Sequence, residues 1–166
     1  VTGMVNGHPQ FTSPDYVDGC ASYLRQFADL KALLGSDNRY DTWIFQEKLY
    51  ATVEGSQSVA VVLSTSTQWA TNNSYNTADF PKLAVDVYAD PERDPNNNVA
   101  FDDTKDKLLA VHDKIKKYLH MVDPGYKWWG STRIVSSTLL SLPILEPVAD
   151  GGGMRSAIAY YALVVG

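Results

Sequence analysis

The chain has 166 residues, 45% of them apolar and 20% charged, enough for one buried core and far from the composition of a disordered tail. Fourteen Lys and Arg against nineteen Asp and Glu leave a formal charge of −5, which argues against a dedicated nucleic-acid binder, since gripping phosphate needs a cationic stripe. No window approaches the roughly 18 consecutive apolar residues of a membrane-spanning helix, and the lone Cys20 excludes an intrachain disulfide framework and fits a reducing interior.

Residues 1–13 lack periodicity, carry Gly3, Gly7 and Pro9, and read as a flexible arm; residues 14–166 read as a single domain. Ser13-Pro14-Asp15 opens a helix with a capping hydroxyl, a proline at the first helical position and an acid in the first turn. Tyr16, Cys20, Tyr23, Leu24, Phe27, Leu30 and Leu34 recur at three-and-four spacing, and Gly35 stands where a left-handed cap would end the helix. Tyr40 to Val53 alternates as a strand, with Trp43, Phe45 and Leu49 on one face; Glu54-Gly55-Ser56 reads as a turn. The run VAVVL at 59–63 suits a strand covered on both faces. A polar, Asn-rich stretch follows and reads as a long loop.

Leu83 to Asp90 resumes the strand pattern, Pro91 stops it, and PERDPNNN reads as a second polar loop. Asp102-Asp103-Thr104 opens a second helix with the stripe Leu108, Val111, His112, Ile115, Leu119 and Val122. Its acids come first and Lys114, Lys116 and Lys117 last, as the helix dipole favours, and Pro124-Gly125 ends it. The last third is β: Arg133–Thr138, then LLSLPILEPV, a turn at Asp150-Gly151-Gly152-Gly153, and a closing strand with apolar residues on both faces. This order predicts an α+β domain, with one mixed, mostly antiparallel sheet of five to six strands and two main helices on one face.

No catalytic constellation stands out. His8, His112 and His120 have no zincin spacing, and the glycine run lacks both the Lys-Ser/Thr and the helix of a phosphate cradle. Asp79, Asp86, Asp90, Glu92 and Asp94 crowd one strand and its exit, and an enzyme using Asp86, Asp90 and Asp94 with a divalent cation is one reading. Without a nearby base or a calcium-loop pattern, solvated or Arg-paired acids explain them better. Trp128 and Trp129, with Tyr126 and Trp69, could stack sugars or bases; a core or interface role outweighs this.

LAVDVYADPERD, the lysine-rich helix ending HDKIKKYLH, and the closing SLPILEPVADGGGMRSAIAYYALVV together resemble the tail terminator proteins of long-tailed, siphovirus-type bacteriophages. The resemblance runs from about residue 14 to 165 and rests on the order of three features: a strand ending Ala89-Asp90-Pro91 before an Arg93-Asp94 loop, the Leu/Lys helix, and a Glu146-Pro147…Asp150-Gly151 hairpin entering an alternating last strand. It implies a structural virion protein at the tail–neck junction, made in the host cytoplasm, with no enzymatic activity, catalytic residue, metal, cofactor or membrane contact. It further implies a homohexameric ring that caps the tail tube, ends polymerisation of the major tail tube protein and docks the head-completion or connector protein. DNA would pass through the lumen without specific binding, which an acidic lining would favour.

Candidate contact residues under this reading are Asp90, Pro91, Arg93, Asp94, Trp128, Trp129, Glu146, Asp150, Gly151, Tyr160 and Tyr161, with loops 71–79 and 91–100 available to neighbours. The rival within the class is another neck component, a head-closure or tail-completion protein. From other classes the rivals are the cation-dependent enzyme and a carbohydrate-binding module.

Overall fold

A computed structural model describes residues 4–5, 8–9, 15–49, 58–65, 81–121, 127–149 and 152–166. Several expectations fall outside these residues: the Ser13-Pro14 helix start, the 54–56 turn, the Asn-rich loop with Trp69 and Asp79, Val122 with the Pro124-Gly125 stop and Tyr126, and Asp150-Gly151. In chain order the elements are β1 (Met4–Val5), β2 (His8–Pro9), α1 (Asp15–Leu24), α2 (Ala28–Lys31), β3 (Ile44–Gln46), β4 (Val59–Thr65) and β5 (Lys82–Ala89). There follow β6 (Glu92–Arg93), β7 (Val99–Phe101), α3 (Thr104–Leu119), β8 (Lys127–Trp129), β9 (Thr132–Leu139), β10 (Ile144–Pro147) and β11 (Arg155–Val165). β1 and β2 form a separate two-stranded pair within the arm.

The main sheet runs β3-β4-β5-β11-β9-β8, with β10 also paired to β11. Only β3 and β4 are parallel, so the sheet is mixed and mostly antiparallel, as the sequence predicts. Both main helices cover one face. The α1 residues Val17, Cys20, Ala21 and Leu24 and the α3 residues Leu108, Val111, Ile115 and Leu119 share a core with Leu83, Val85, Val87, Ala157, Ala159, Tyr161 and Leu163. Burying each such large aliphatic chain contributes about 1.5–3 kcal/mol. Among the described residues the opposite face carries only a small cluster and no helix: Trp43, Phe45, Ala60 and Val62, with Tyr40, Leu49, Tyr88 and Met154 against it.

The expected single first helix is two. It stops at Leu24 through three-residue bonds, Gln26 N–H to Tyr23 O and Phe27 N–H to Leu24 O, and Phe27 adopts extended backbone before α2. Aromatic packing accounts for the break: Phe27 lies flat on Tyr118 of α3, ring centroids 3.6 Å apart, and edge-on to Tyr23. The stripe survives because both pieces face the same core. Gly35 is not the left-handed cap; it is buried, donates to Val59 O and accepts from Trp43 N–H, joining α2 to the sheet. Of the expected Tyr40–Val53 strand, residues 50–53 lie outside the described residues, and within 40–49 only three, Ile44–Gln46, form strand. Glu47 adopts a φ of 65°, which ends the ladder, although Trp43, Phe45 and Leu49 do share a face as predicted.

PERDPNNN is a hairpin, β6 against β7, rather than an open loop. Asp94 Oδ1 accepts the N–H groups of Asn96 and Asn98, and Asn97 takes a φ of 65° that asparagine tolerates better than most residues.

Two irregularities shape the other edge. Val135 is a bulge in β9, because Ser136 pairs with Val164 and Ile134 with Val165. Between β9 and β10, residues 140–143 span what Ala159 and Tyr160 span on β11, since Leu139 pairs with Tyr161 and Ile144 with Ile158. The surplus pushes out Leu142, which is 78% exposed. Val148 N–H donates to Met154 O, so alternation turns Pro147 away from β11, where its missing N–H blunts the free edge.

Candidate interaction surfaces

The exit of β5 is held by a polar latch. Pro91 has no N–H to continue the ladder, so the chain turns into β6. Buried Asp90 receives both arms of Arg93, Nε to Oδ2 at 2.7 Å and Nη2 to Oδ1 at 2.8 Å. Arg93 also donates to Asn97 O at 3.1 Å and Gly152 O at 2.6 Å, tying together the strand exit, the hairpin tip and the β10–β11 turn. The Asp90 carbonyl accepts Lys107 Nζ and Ser58 Oγ, and Lys107 also pairs with Asp103. A cleft of about 540 Å³ opens here, lined by Asp90, Pro91, Glu92, Arg93, Asp94, Asn97, Asp103 and Lys107. Bidentate arginine–carboxylate geometry is strong and directional, and a carboxylate so occupied is not poised for acid–base work. The latch aims the hairpin, whose β7 leaves Val99 and Phe101 exposed, Phe101 at 62%.

Alternation divides the other candidates. Trp129 enters the core against α1, stacked on Tyr23 at 6.1 Å, while Trp128 points to the opposite face and is 55% exposed. Tyr161 is buried with Cys20 in the helix-covered core, whereas Tyr160 is half-exposed on the helix-free face. Trp129, Tyr161, Asp90 and Pro91 are therefore interior residues of this chain, and period-two geometry is the reason for the first two. Arg93, Asp94, Trp128, Glu146 and Tyr160 keep some exposure; Asp150 and Gly151 lie outside the described residues. With Trp129 buried, the described residues do not assemble a tryptophan platform for sugars.

The acids do not converge. Asp86 sits mid-strand, paired in register with Val62 and Ile158, and burial pushes its carboxyl up to about 6, opposed by a hydrogen bond from Tyr88 and reinforced by Glu146. Asp90 is locked by Arg93 and Asp94 by its own turn amides. Among the described residues no group of three or more His, Cys, Asp and Glu could hold a metal ion. His112 is buried and its Nε2 lies 2.8 Å from Ala157 O; donation there leaves Nδ1 without a partner, and burial holds its pKa down. His120 accepts Leu139 N–H at 3.1 Å and covers part of the β9 edge.

Sequence reasoning passed over Gly19. A Cβ there would run into the Trp129 carbonyl, so this residue sets how closely α1 approaches β8. A glycine inside a helical stripe was the available signal, since it weakens a helix by about 1 kcal/mol and so points to a packing need. Phe101, Leu140 and Leu142 carried no comparable signal, because only the hairpin and the surplus residues place them outside.

No protein-family model matches the chain, and no curated protein matches it in sequence. Among solved structures, a chain of the "Virion of native gene transfer agent (GTA) particle" is similar, with a TM-score of 0.52 and 18% identity over 87% of this chain and 90% of that chain. At that identity the likeness is one of fold, and it spans nearly the full length of both chains.

Proposed function

We propose that this chain is a structural protein of a phage-type virion, and within that class a tail terminator: a ring of identical copies that caps the tail tube, stops its growth and offers its far side to the head connector. The observation that carries the reading is the near-full-length fold likeness to a virion chain. Two features support it. The polar clusters are engaged in internal hydrogen bonds that fix shape, as at Asp90–Arg93. The exposed apolar residues, Phe101, Trp128, Leu142 and Ile144, sit at hairpin, edge and bulge positions suited to protein contacts. The work is surface matching, in which one face copies the tube subunit and the other refuses the next one.

Tube protein polymerised with and without this chain, followed by light scattering and electron microscopy, tests the reading. Tubes that stop elongating once the chain is added, with one end occupied, are the expected result. Unaltered growth overturns the terminator role; binding to the portal side alone would favour a head-closure protein instead.

A further inference from the structure

The two ends of the sheet differ in charge while both expose apolar side chains. At one end, Arg155 of β11 pairs with Asp102, and Arg93 reaches Gly152, so the β6–β7 hairpin and the start of α3 lie together. This end presents Val99 and Phe101 among Glu92, Asp94 and Asp106, three acids with no ion pair to the described residues, against the one exposed cation Lys105 at the start of α3, so acids outnumber free cations here. At the other end, Val165 pairs with Ile134, which pairs with Lys127, and Gly166 N–H donates to Arg133 O. Here Trp128 and Val165 are exposed beside Lys127, and the close of α3 adds exposed Lys116. The 16 residues of α3 set the ends about 24 Å apart.

We propose that copies of this chain join head to tail, with the acidic hairpin end of one seated on the basic Trp128 end of the next. Charge complementarity selects this pairing: hairpin against hairpin brings Glu92 and Asp106 toward their own copies, and Trp128 end against Trp128 end does the same for Lys127 and Lys116. Each end also supplies one large aromatic anchor, Phe101 or Trp128, of the kind that dominates interface energetics. Such a contact is heterologous, so it propagates until rotation closes it into a ring. The proposal rests on the ring reading for closure, and the pairing itself is tested without any tube protein.

The experiment is a mixing test on the full chain. Phe101→Asp disables the hairpin end and Trp128→Asp the opposite end; each alone should be monomeric by light scattering where the wild type associates, with self-affinity reduced at least about tenfold. Mixed at equal amounts, they should form a discrete one-to-one dimer, because one intact hairpin meets one intact Trp128 end and nothing remains to extend it. Rising salt should weaken that dimer. Glu92→Lys and Lys127→Glu repeat the test if either aspartate variant loses its circular dichroism signature. A wild-type chain that stays monomeric at high concentration overturns the pairing, as does an associating wild type whose two variants give no mixed dimer. Neither result touches the tube-growth assay, whose failure would remove the terminator role alone.

Discussion

The two faces of the sheet are built from the same strands and finished differently. On the helix-covered face Leu83, Val85 and Val87 of β5 and Tyr161 and Leu163 of β11 share one buried core with α1 and α3, and Trp129, Ile134 and Tyr161 are essentially inaccessible. On the other face, one residue further along each strand, the neighbours are Asp86, Ile158, Tyr160 and Glu146, half-buried or exposed. Here Asp86 Oδ1 is buried without a hydrogen-bond partner. Packing of this kind places stability on the first face and leaves the second face and the sheet ends available for other molecules. Substitutions should therefore separate cleanly into those that unfold the chain and those that alter only its associations.

The sharpest test lies on the covered face. Gly19→Ala should cost about 3 kcal/mol or prevent folding, because the added methyl meets backbone at Trp129 that cannot swing aside; thermal and urea unfolding would show it, and a variant of native stability would refute the close approach of α1 to β8. Next comes the latch between the faces. Arg93→Ala should cost about 2–3 kcal/mol, since it leaves Asp90 buried without its partner, and the 92–101 hairpin should lose protection against hydrogen exchange ahead of the core.

The helix-free face should respond in the opposite sense. The folded Asp86 carboxyl sits at about 6 against an ordinary 3.8. The folded state thus binds more protons between those values, and stability falls as pH rises through that window. Asp86→Asn should remove this slope and raise stability at neutral pH by about 1 kcal/mol, allowing for the partial exposure of the group. An unchanged pH profile between 4 and 6 would show that the carboxyl is better solvated than its burial implies. Smallest of all, Trp128→Ser should shift folding stability by less than about 0.5 kcal/mol while weakening self-association, measured side by side by thermal denaturation and light scattering.

Much of this architecture is written in local pattern. The α3 stripe of Leu108, Val111, His112, Ile115 and Leu119 is buried as its spacing requires, and β4, β5, β9 and β11 form where β-branched and alternating residues place them. Periodicity carries that information because one residue in two, or in three to four, must face the core whatever the core contains. The interaction surfaces were harder to read. The list built from motif order mixed Asp90, Pro91, Trp129 and Tyr161, which the fold buries, with Trp128, Glu146 and Tyr160, which it leaves at or near the surface. It had no means of finding Phe101 or Leu142.

The sequence by itself determined the α+β class, the amphipathic second helix, the central strands and their inward residues, since each depends on hydrophobic spacing along a short stretch of chain. Tertiary structure decided the rest. Phe27 breaks the first helix because it stacks on Tyr118, some ninety positions away; Arg93 turns a polar loop into a fixed hairpin because Asp90 and Gly152 converge on it; and Trp128 faces outward because Trp129 must pack against Gly19. These are pairings between distant residues, and no local pattern encodes which side chain a distant partner will claim.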